Sequence, residues 1–529
     1  MTIAHVWENT KIILSDPKTL IRLGIECFPK YKLNDTKGAL VDVDERMTML
    51  NTIIMSIQHV LAMMGSTVIC PLLMGFSPNT CLLFSGIGTL IFYICTMGQL
   101  PSYLGPSFAF IGVVNSATGF AYVPGGPTNP NIPIATGGIL VCGLIYLAIS
   151  FIVMVVGAKW LEILMPPIVT GTVVMAIGLN LANAAIGECA SSGIDAWVAF
   201  ATIMMTCLLL CYGPGLTKRM PILIGVIFGY LIYLFLGLGG IGPGIDFTAV
   251  KESAWFEAPP MHTPEFDGSA ISLIAPIAII LIAENIGHVR AVGSMTGKNL
   301  DKLLGRTFLG DSIATIIAAL GGGLGTTTYA ENIGVMSVTR IYSTLPFIFC
   351  AFFAIFLGLF AKFGAFIQTI PSGVFGGIEV ILFGMIAITG AKIWIEDNVD
   401  FSKPRNLLTA GIGVVCGCGM INGIVVTWGV IKIDGIGVST LGSIILYQVL
   451  RDDWPEVAAF LYGKIRGRNV TWKGGKSDTP QTQTTIEMPD LNQSSASSTW
   501  QSGASKPSSL PQFKNDAIVT LGQSDGDRL

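Results

Sequence analysis

The stretch Gly325-Thr-Thr-Thr-Tyr329-Ala330-Glu331-Asn332-Ile333-Gly334-Val335-Met336-Ser337-Val338-Thr339-Arg340 lies among long apolar runs without being one. Its Thr and Tyr run favours extended backbone, and the residues after Glu331 can form a short helix. A membrane crossing built this way leaves free backbone N–H groups and the positive end of a helix dipole near the bilayer midplane, beside a carboxylate. The segment Pro101-Ser-Tyr-Leu-Gly-Pro106-Ser107-Phe108-Ala109-Phe110 has the same strand-then-helix character. Two half-helices aimed at each other form a polar pocket.

Around these two segments the chain is almost continuously apolar. Runs long enough to cross a bilayer, about 20 residues each, fall near 50–74, 80–98, 134–156, 160–182, 194–212, 220–240, 269–293, 303–322, 346–368, 373–391, 406–423 and 434–450. With the broken segments near 101–120 and 325–340 as the third and tenth, the expected number of crossings is fourteen. The composition agrees: of 529 residues, 51% are hydrophobic and only 12% charged, with a mean hydropathy of +0.67. A soluble globular chain carries about 25% charged residues, so a soluble protein is excluded. The net charge of −3 gives no basic footprint for nucleic acid. Eleven cysteines without metal-ligand spacing, Cys416-Gly-Cys418 being the closest pair, read as packing residues.

Lys and Arg positions test the topology, because cytoplasmic loops collect them. With fourteen crossings and a cytoplasmic N-terminus, all of the 30 Lys and Arg except Lys251, Lys362 and Lys432 fall on the cytoplasmic side or at its edge. The clusters Lys218-Arg219, Lys298/Lys302/Arg306 and Lys392/Lys403/Arg405 land in inner loops, whereas the long outer loop 241–268 holds Asp246, Glu252, Glu257, Glu265 and Asp267 against Lys251. Thirteen crossings would invert part of this pattern. Fourteen divides into two sevens of opposite orientation. Pro166-Pro-Ile-Val169-Thr-Gly171 and Pro371-Ser-Gly-Val374-Phe-Gly376 share the spacing P-x-x-V-x-G at matching places, and Gln58-His59-Val60 is echoed by Gly287-His288-Val289. The expected fold is therefore an all-α polytopic membrane protein of two inverted seven-segment repeats. The polar, basic start does not resemble a cleavable signal peptide, and none is expected. The tail from about Ile465 has the composition of a disordered segment. Both termini are expected in the cytoplasm, which leaves the sequons at Asn469 and Asn492 unmodified.

Polar residues at membrane depth carry the functional information, since each ionisable group there costs roughly 2.5–3.5 kcal/mol on insertion scales. In the eighth span Glu284 and His288 stand four apart, on one helical face and within pairing reach. Asp311 sits in the ninth span, where an anchoring role and a functional one are both open, and the role of Glu379 in the twelfth is open. The pocket thus offers carboxylate acceptors, amide donors and the aromatic faces of Phe108 and Tyr329. A planar neutral solute with adjacent N–H and C=O groups, a nucleobase, fits that inventory; a simple anion would be repelled by Glu284 and Glu331. Gly237-Leu-Gly239-Gly-Ile-Gly242 matches G-x-G-x-x-G but lacks the strand–helix context of a dinucleotide site. No paired metal ligands, Ser/His/Asp set or P-loop appears, so neither an enzyme nor a cofactor is expected.

Glu331-Asn-x-Gly-x-x-x-x-Thr339-Arg340 resembles the signature of the nucleobase–ascorbate transporter family, also called nucleobase:cation symporter-2. Gln58-His59, Tyr103-Leu-Gly-x-Ser-Phe108-Ala-Phe110 and Glu284 with His288 extend the resemblance over about 47–460, and the chain looks most like the bacterial-type uracil permeases. The resemblance implies a core domain of segments 1–4 and 8–11 (47–156 and, with the outer loop, 246–368) and a gate domain of segments 5–7 and 12–14 (157–245 and 369–455). It implies a cytoplasmic segment at 1–46, a tail at 456–529 and a homodimer joined through the gates.

By matching position, Glu284 and Glu331 would accept the base's N–H groups, and the amides of Phe108 and Ala330 would donate to its carbonyls. Tyr329 would pack on the ring, Asn332 would brace the site and His288 would take part in proton coupling. Glu284 is the candidate proton site, with Asp311 next to examine. Three departures concern the choice of base: Ala330 stands where Gly is usual, Pro106 where Ser is common and Phe383 where a Tyr is found. The expected function is proton-coupled import of a nucleobase, uracil, across the cell membrane. A xanthine or other purine carrier is the alternative, with an anion carrier of the same architecture or a Glu/His hydrolase further off.

Overall fold

A computed structural model of the chain describes residues 28–34, 40–122, 126, 128–214, 217, 221–420, 424–428 and 431–454. These belong to one compact unit, Met1–Gly474. The expectations for the first residues, for Lys218-Arg219 and for the tail with its two sequons lie outside the described residues.

The fold is helical. In chain order the main elements are α1 Met49–Leu73, α2 Pro78–Cys95, β1 Leu104–Pro106, α3 Phe110–Thr118, α4 Ile132–Val156, α5 Pro167–Cys189, α6 Gly193–Tyr212, α7 Pro221–Leu238, α8 Gly268–Thr296, α9 Leu304–Leu320, β2 Thr326–Thr328, α10 Ala330–Thr339, α11 Leu345–Leu359, α12 Ser372–Glu396, α13 Pro404–Gly419 and α14 Gly435–Val449. Among the described residues nine helices are long and apolar enough to cross a membrane, and α11 with Ala361–Ile367 makes a tenth candidate bent by 80°. The protein is thus a multi-pass membrane protein. The fourteen-crossing reading further requires α3, α10, α13 and α14 to complete crossings although each is shorter than 18 residues.

Two spans differ from their sequence reading. The run 160–182 is a short helix, Lys159–Leu164, followed by a break and then α5 from Pro167 to Cys189. Pro166 and Pro167 cause the break: each lacks an N–H, and the residue before a proline is pushed out of helical backbone. The run 346–368 breaks at Phe360, where the backbone leaves helical angles. Elsewhere the polar punctuation works as capping. Ser192 accepts from Asp195 N at the start of α6, 3.1 Å, Asp267 from Ala270 N at the start of α8, 2.8 Å, and Asp434 from Gly437 N at the start of α14, 2.9 Å.

The inverted repeat is visible in the packing of α5 on α12. The P-x-x-V-x-G motifs place Pro166 and Pro371 as the residues that open these two helices. A Cβ at Gly171, near the start of α5, would lie 2.6 Å from Gly390 O near the end of α12; one at Gly376, near the start of α12, would lie 2.9 Å from Ala185 O and 2.5 Å from Cys189 N at the end of α5. Each helix start meets the other's end, so the pair is antiparallel, and the matching glycines let the backbones touch where any side chain would separate them.

The two broken crossings form the second symmetric pair. Strands β1 and β2 are antiparallel, with Leu104 opposite Thr328, Gly105 opposite Thr327 and Pro106 opposite Thr326. Because the strands run in opposite directions, α3 and α10 leave them in opposite directions, with both N-termini beside the strand pair. Gly105 is required here by a close approach: a Cβ would collide with the Tyr329 ring. Around this centre, α1 to α4 pack with α8, α9 and α11, while α5 to α7 pack with α12, and α13 and α14 pack with α5. Two-thirds (67%) of the most apolar stretch of α1, α2 and α9 is buried, against 28% for α6 and 22% for α7, so the latter two are peripheral.

At one end of the bundle the segment before α1 is tied down. Val41 bridges to Ile341 just past α10, Asp42 pairs with Lys298 at 2.6 Å, and the Tyr31 hydroxyl lies 2.6 Å from Thr344 Oγ1. A loop from 253 to 267 runs over the other end, with Thr80 Oγ1 donating to Pro260 O and Glu265 N to Pro133 O.

Candidate substrate site

The site begins with unpaired backbone. The first N–H groups of a helix have no partner within it. At α10 the Ala330 amide is one of these, and among the described residues it has no acceptor. Near α3, Ser107 N donates to Gly325 O and Ala109 N to Ser107 Oγ, and among the described residues the Phe108 amide has no acceptor. Strand pairing holds the two amides at the facing starts of the half-helices, and both helix dipoles present their positive ends to the same gap.

Carboxylates approach that gap from two other directions. Glu331 is in the first turn of α10, half-buried, and its carboxylate accepts from the Ser66 hydroxyl of α1. Glu284 of α8 is half-buried, lies 3.4 Å from Ser107 Oγ and is close enough to Glu331 and Asp311 to interact with both electrostatically. Around Glu284 and His288, Gly287 is exposed and nothing stands within 4 Å of where its Cβ would be. This side of α8 is therefore open at Gly287. Phe108 is the half-buried aromatic at the gap, with its ring edge-on to Phe383 of α12 at 6.1 Å.

The remaining sequence candidates sit behind this surface. Tyr329 is 3% exposed, its hydroxyl donates to Pro106 O at 3.1 Å, and its ring tilts against Tyr103. Asn332 is fully buried and its amide nitrogen lies 3.1 Å from both His59 Nδ1 and His59 O, so it joins α10 to α1. Asp311 is fully buried: Oδ2 accepts from Asn285 Nδ2 at 2.8 Å and Oδ1 from Thr326 Oγ1 at 2.7 Å. Glu379 is fully buried with neither carboxylate oxygen hydrogen-bonded.

One pairing that the spacing allows is not made. Glu284 and His288 share a face but do not bond each other; His288 Nδ1 instead lies 2.8 Å from Thr328 Oγ1 of β2. Residues the sequence reading missed are Ser66, Asn285, Thr328 and Thr67, whose hydroxyl lies 3.4 Å from that of Tyr329. The Thr326-Thr-Thr328 run was legible as extended backbone, and the period-2 alternation of a strand puts Thr326 and Thr328 on one side. That signal would have found Thr328. Nothing comparable marks Ser66, which reaches Glu331 only through tertiary packing.

A profile of the Permease family matches residues 50–426. The putative pyrimidine permease RutG of Escherichia coli K12 is 47% identical over 426 residues, covering 80% of this chain and 95% of that protein. The chain belongs to the nucleobase–ascorbate transporter family. Uracil permeases of Paenibacillus larvae and of E. coli K12 are 38% and 35% identical, each over 78% of this chain and over 96% and 94% of theirs. Among solved structures, the transmembrane domain of a cyanobacterial bicarbonate transporter, BicA, aligns with a TM-score of 0.53 at 14% identity, covering 75% of this chain and 96% of that one. The murine anion transporter Slc26a9, in an inward-facing state, aligns with a TM-score of 0.59 at 11% identity, covering 84% and 73%. These two share the fold of this member of the nucleobase–ascorbate transporter family.

Proposed function

We propose that this protein is a proton-coupled symporter that imports a nucleobase, uracil, across the cell membrane by alternating access. The observation that carries the reading is the meeting, in one gap, of two free half-helix amides, Phe108 and Ala330, with two carboxylates, Glu284 and Glu331. Uracil has two ring N–H donors and two carbonyl acceptors, so each group of the gap has a counterpart on it. The relatives whose names state uracil or pyrimidine permease support the same substrate class.

The fold does not decide the substrate, because bicarbonate and anion transporters share it. The charges favour a neutral base over an anion. An anion carrier presents cations or bare helix dipoles to its site, whereas here the dipoles face carboxylates that an anion would have to displace. In this reading Phe108 and Phe383 close on the ring faces, Tyr329 stiffens the wall, and Asn332 braces α10 against α1 through His59. His288 and Glu284 handle the proton, with Asp311 behind them.

Movement follows from the two packing groups. Segments 1–4 and 8–11 would act as the core that carries the site, and segments 5–7 and 12–14 as the gate, with Phe108 and Phe383 on opposite sides of the boundary. Fourteen crossings with cytoplasmic termini and a homodimer through the gates complete the proposal. Displacement of radiolabelled uracil from purified protein tests it: unlabelled uracil should compete, and bicarbonate and xanthine should not. Competition by xanthine alone would replace uracil with a purine.

A further inference from the structure

Between His288 and Asp311 runs a chain of hydrogen bonds whose polarity can be read link by link. Asn285 Nδ2 lies 3.0 Å from Leu281 O and 2.8 Å from Asp311 Oδ2. A backbone carbonyl can only accept, so the amide nitrogen must be on that side and Oδ1 must face Thr328; the flipped amide would set oxygen against two acceptors. Asn285 Oδ1 can also only accept, so the single proton of the Thr328 hydroxyl points to it, at 2.8 Å. His288 Nδ1, 2.8 Å from the same hydroxyl oxygen, is left as the donor. We propose that Asp311, Asn285 and Thr328 hold His288 as the Nδ1–H tautomer, which presents Nε2 to the substrate gap as an acceptor and makes Thr328 and Asn285 positioning residues for it.

Three observations support the arrangement. Among the described residues no side chain is hydrogen-bonded to Nε2, and it is not among the sealed, unpartnered polar atoms, so it is accessible. Thr328 is fixed by the pairing of β2 with β1 and Thr326 by its bond to Asp311, so the strand that builds the half-helix pocket also sets the polarity of the chain. Both Asn285 and Asp311 are fully buried, so water does not compete for these bonds. The same Nδ1–H donor persists when the ring is protonated, since an imidazolium carries hydrogen on both nitrogens. Proton exchange is thereby confined to Nε2, on the substrate side, where the neutral ring accepts a hydrogen bond and the charged ring donates one.

The charged and titratable groups on α8 and the elements packed with its Ile277–Thr296 part are Glu284 and Arg290 on α8, Asp311 and Arg306 on α9, Glu331 on α10, Cys142 and Tyr146 on α4, and Glu188 and Cys189 at the end of α5. The substrate role of Nε2 rests on the proposed function, but the tautomer does not, and the test separates the two. Nitrogen NMR on [15N]histidine-labelled full-length protein, with the His288 signals assigned by their loss in His288→Ala, should show neutral His288 protonated at Nδ1. Protonation at Nε2 would overturn the proposal. Thr328→Ser should keep the tautomer, and Thr328→Val should lose it. With uracil as the probe, Thr328→Val should bind about two- to tenfold more weakly, the loss of one ordinary hydrogen bond, and Thr328→Ser should bind normally. In a His288→Ala background Thr328→Val should cost nothing more. An equal loss in both backgrounds would show that Thr328 acts on the fold rather than through His288. If uracil does not bind the unaltered protein the proposed function fails, and the NMR result still decides the tautomer.

Discussion

The Ser66 hydroxyl donates to the Glu331 carboxylate, joining the middle of α1 to the first turn of α10. The bond engages one carboxylate oxygen, and in the proposed reading the other accepts from the base. Glu331→Gln should therefore weaken uracil binding at least about tenfold, because an amide offers the base a donor where it needs an acceptor, and a charge-assisted hydrogen bond contributes roughly 1.5–3 kcal/mol. Equilibrium binding to purified protein checks this. Unchanged affinity in a folded variant would remove Glu331 from the site.

Coupling should depend on Glu284. A neutral base moving with one proton carries one positive charge, and each 100 mV of membrane potential contributes about 2.3 kcal/mol, or roughly fifty-fold accumulation. Using that drive needs a group in the gap that takes up and releases the proton, and Glu284 touches the gap through Ser107 while lying near Asp311 and Glu331. In vesicles with an imposed pH gradient, Glu284→Gln should bind substrate more weakly, as Glu331→Gln does, and at saturating substrate should equilibrate it without accumulating it. His288→Ala should shift the pH dependence of uptake with a smaller effect on binding. Accumulation by Glu284→Gln that still follows the gradient would move the coupling site to Asp311.

The close pairing of α5 and α12 should be intolerant of side chains at its glycines. Gly171→Val puts a branched side chain against Gly390 O and Trp394, and overpacking of this kind typically costs about 1–3 kcal/mol. Gly187→Ala, on the same helix with nothing within 4 Å, should leave thermal stability near that of the unaltered protein. Equal melting temperatures for the two variants would mean that the helices are not in backbone contact.

Truncation should spare transport. The family profile ends at residue 426, and 80% of this chain suffices to cover 95% of the E. coli relative. A protein ending at Arg468 should therefore transport substrate at an unchanged rate per molecule, measured against surface abundance. Loss of transport by a truncated protein that reaches the membrane would assign the tail a part in the cycle.

Much of this molecule was legible because membrane spans are written one after another in hydropathy. Most helix ends fall within a few residues of the apolar runs, and the strand-then-helix character of both broken crossings could be read from Pro106-Ser107-Phe108 and Thr326-Thr-Thr-Tyr329. The misplaced start of α5 came from weighing hydrophobicity above Pro166-Pro167. Hydrogen-bond partners were much harder to read. Glu284 and His288 look like a pair at i, i+4, yet a strand far along the chain offers His288 a better-placed hydroxyl. The Ser66–Glu331 bond likewise depends on how α1 packs against α10, which periodicity on either helix does not encode.

The central claim, proton-driven uptake of uracil, is tested most directly by following radiolabelled uracil into cells that lack their own nucleobase carriers and express this protein, with and without a protonophore. The account predicts concentrative uptake that collapses when the protonophore is added and is not competed by xanthine or bicarbonate. Uptake that ignores the protonophore, or transport of bicarbonate in place of uracil, would contradict it.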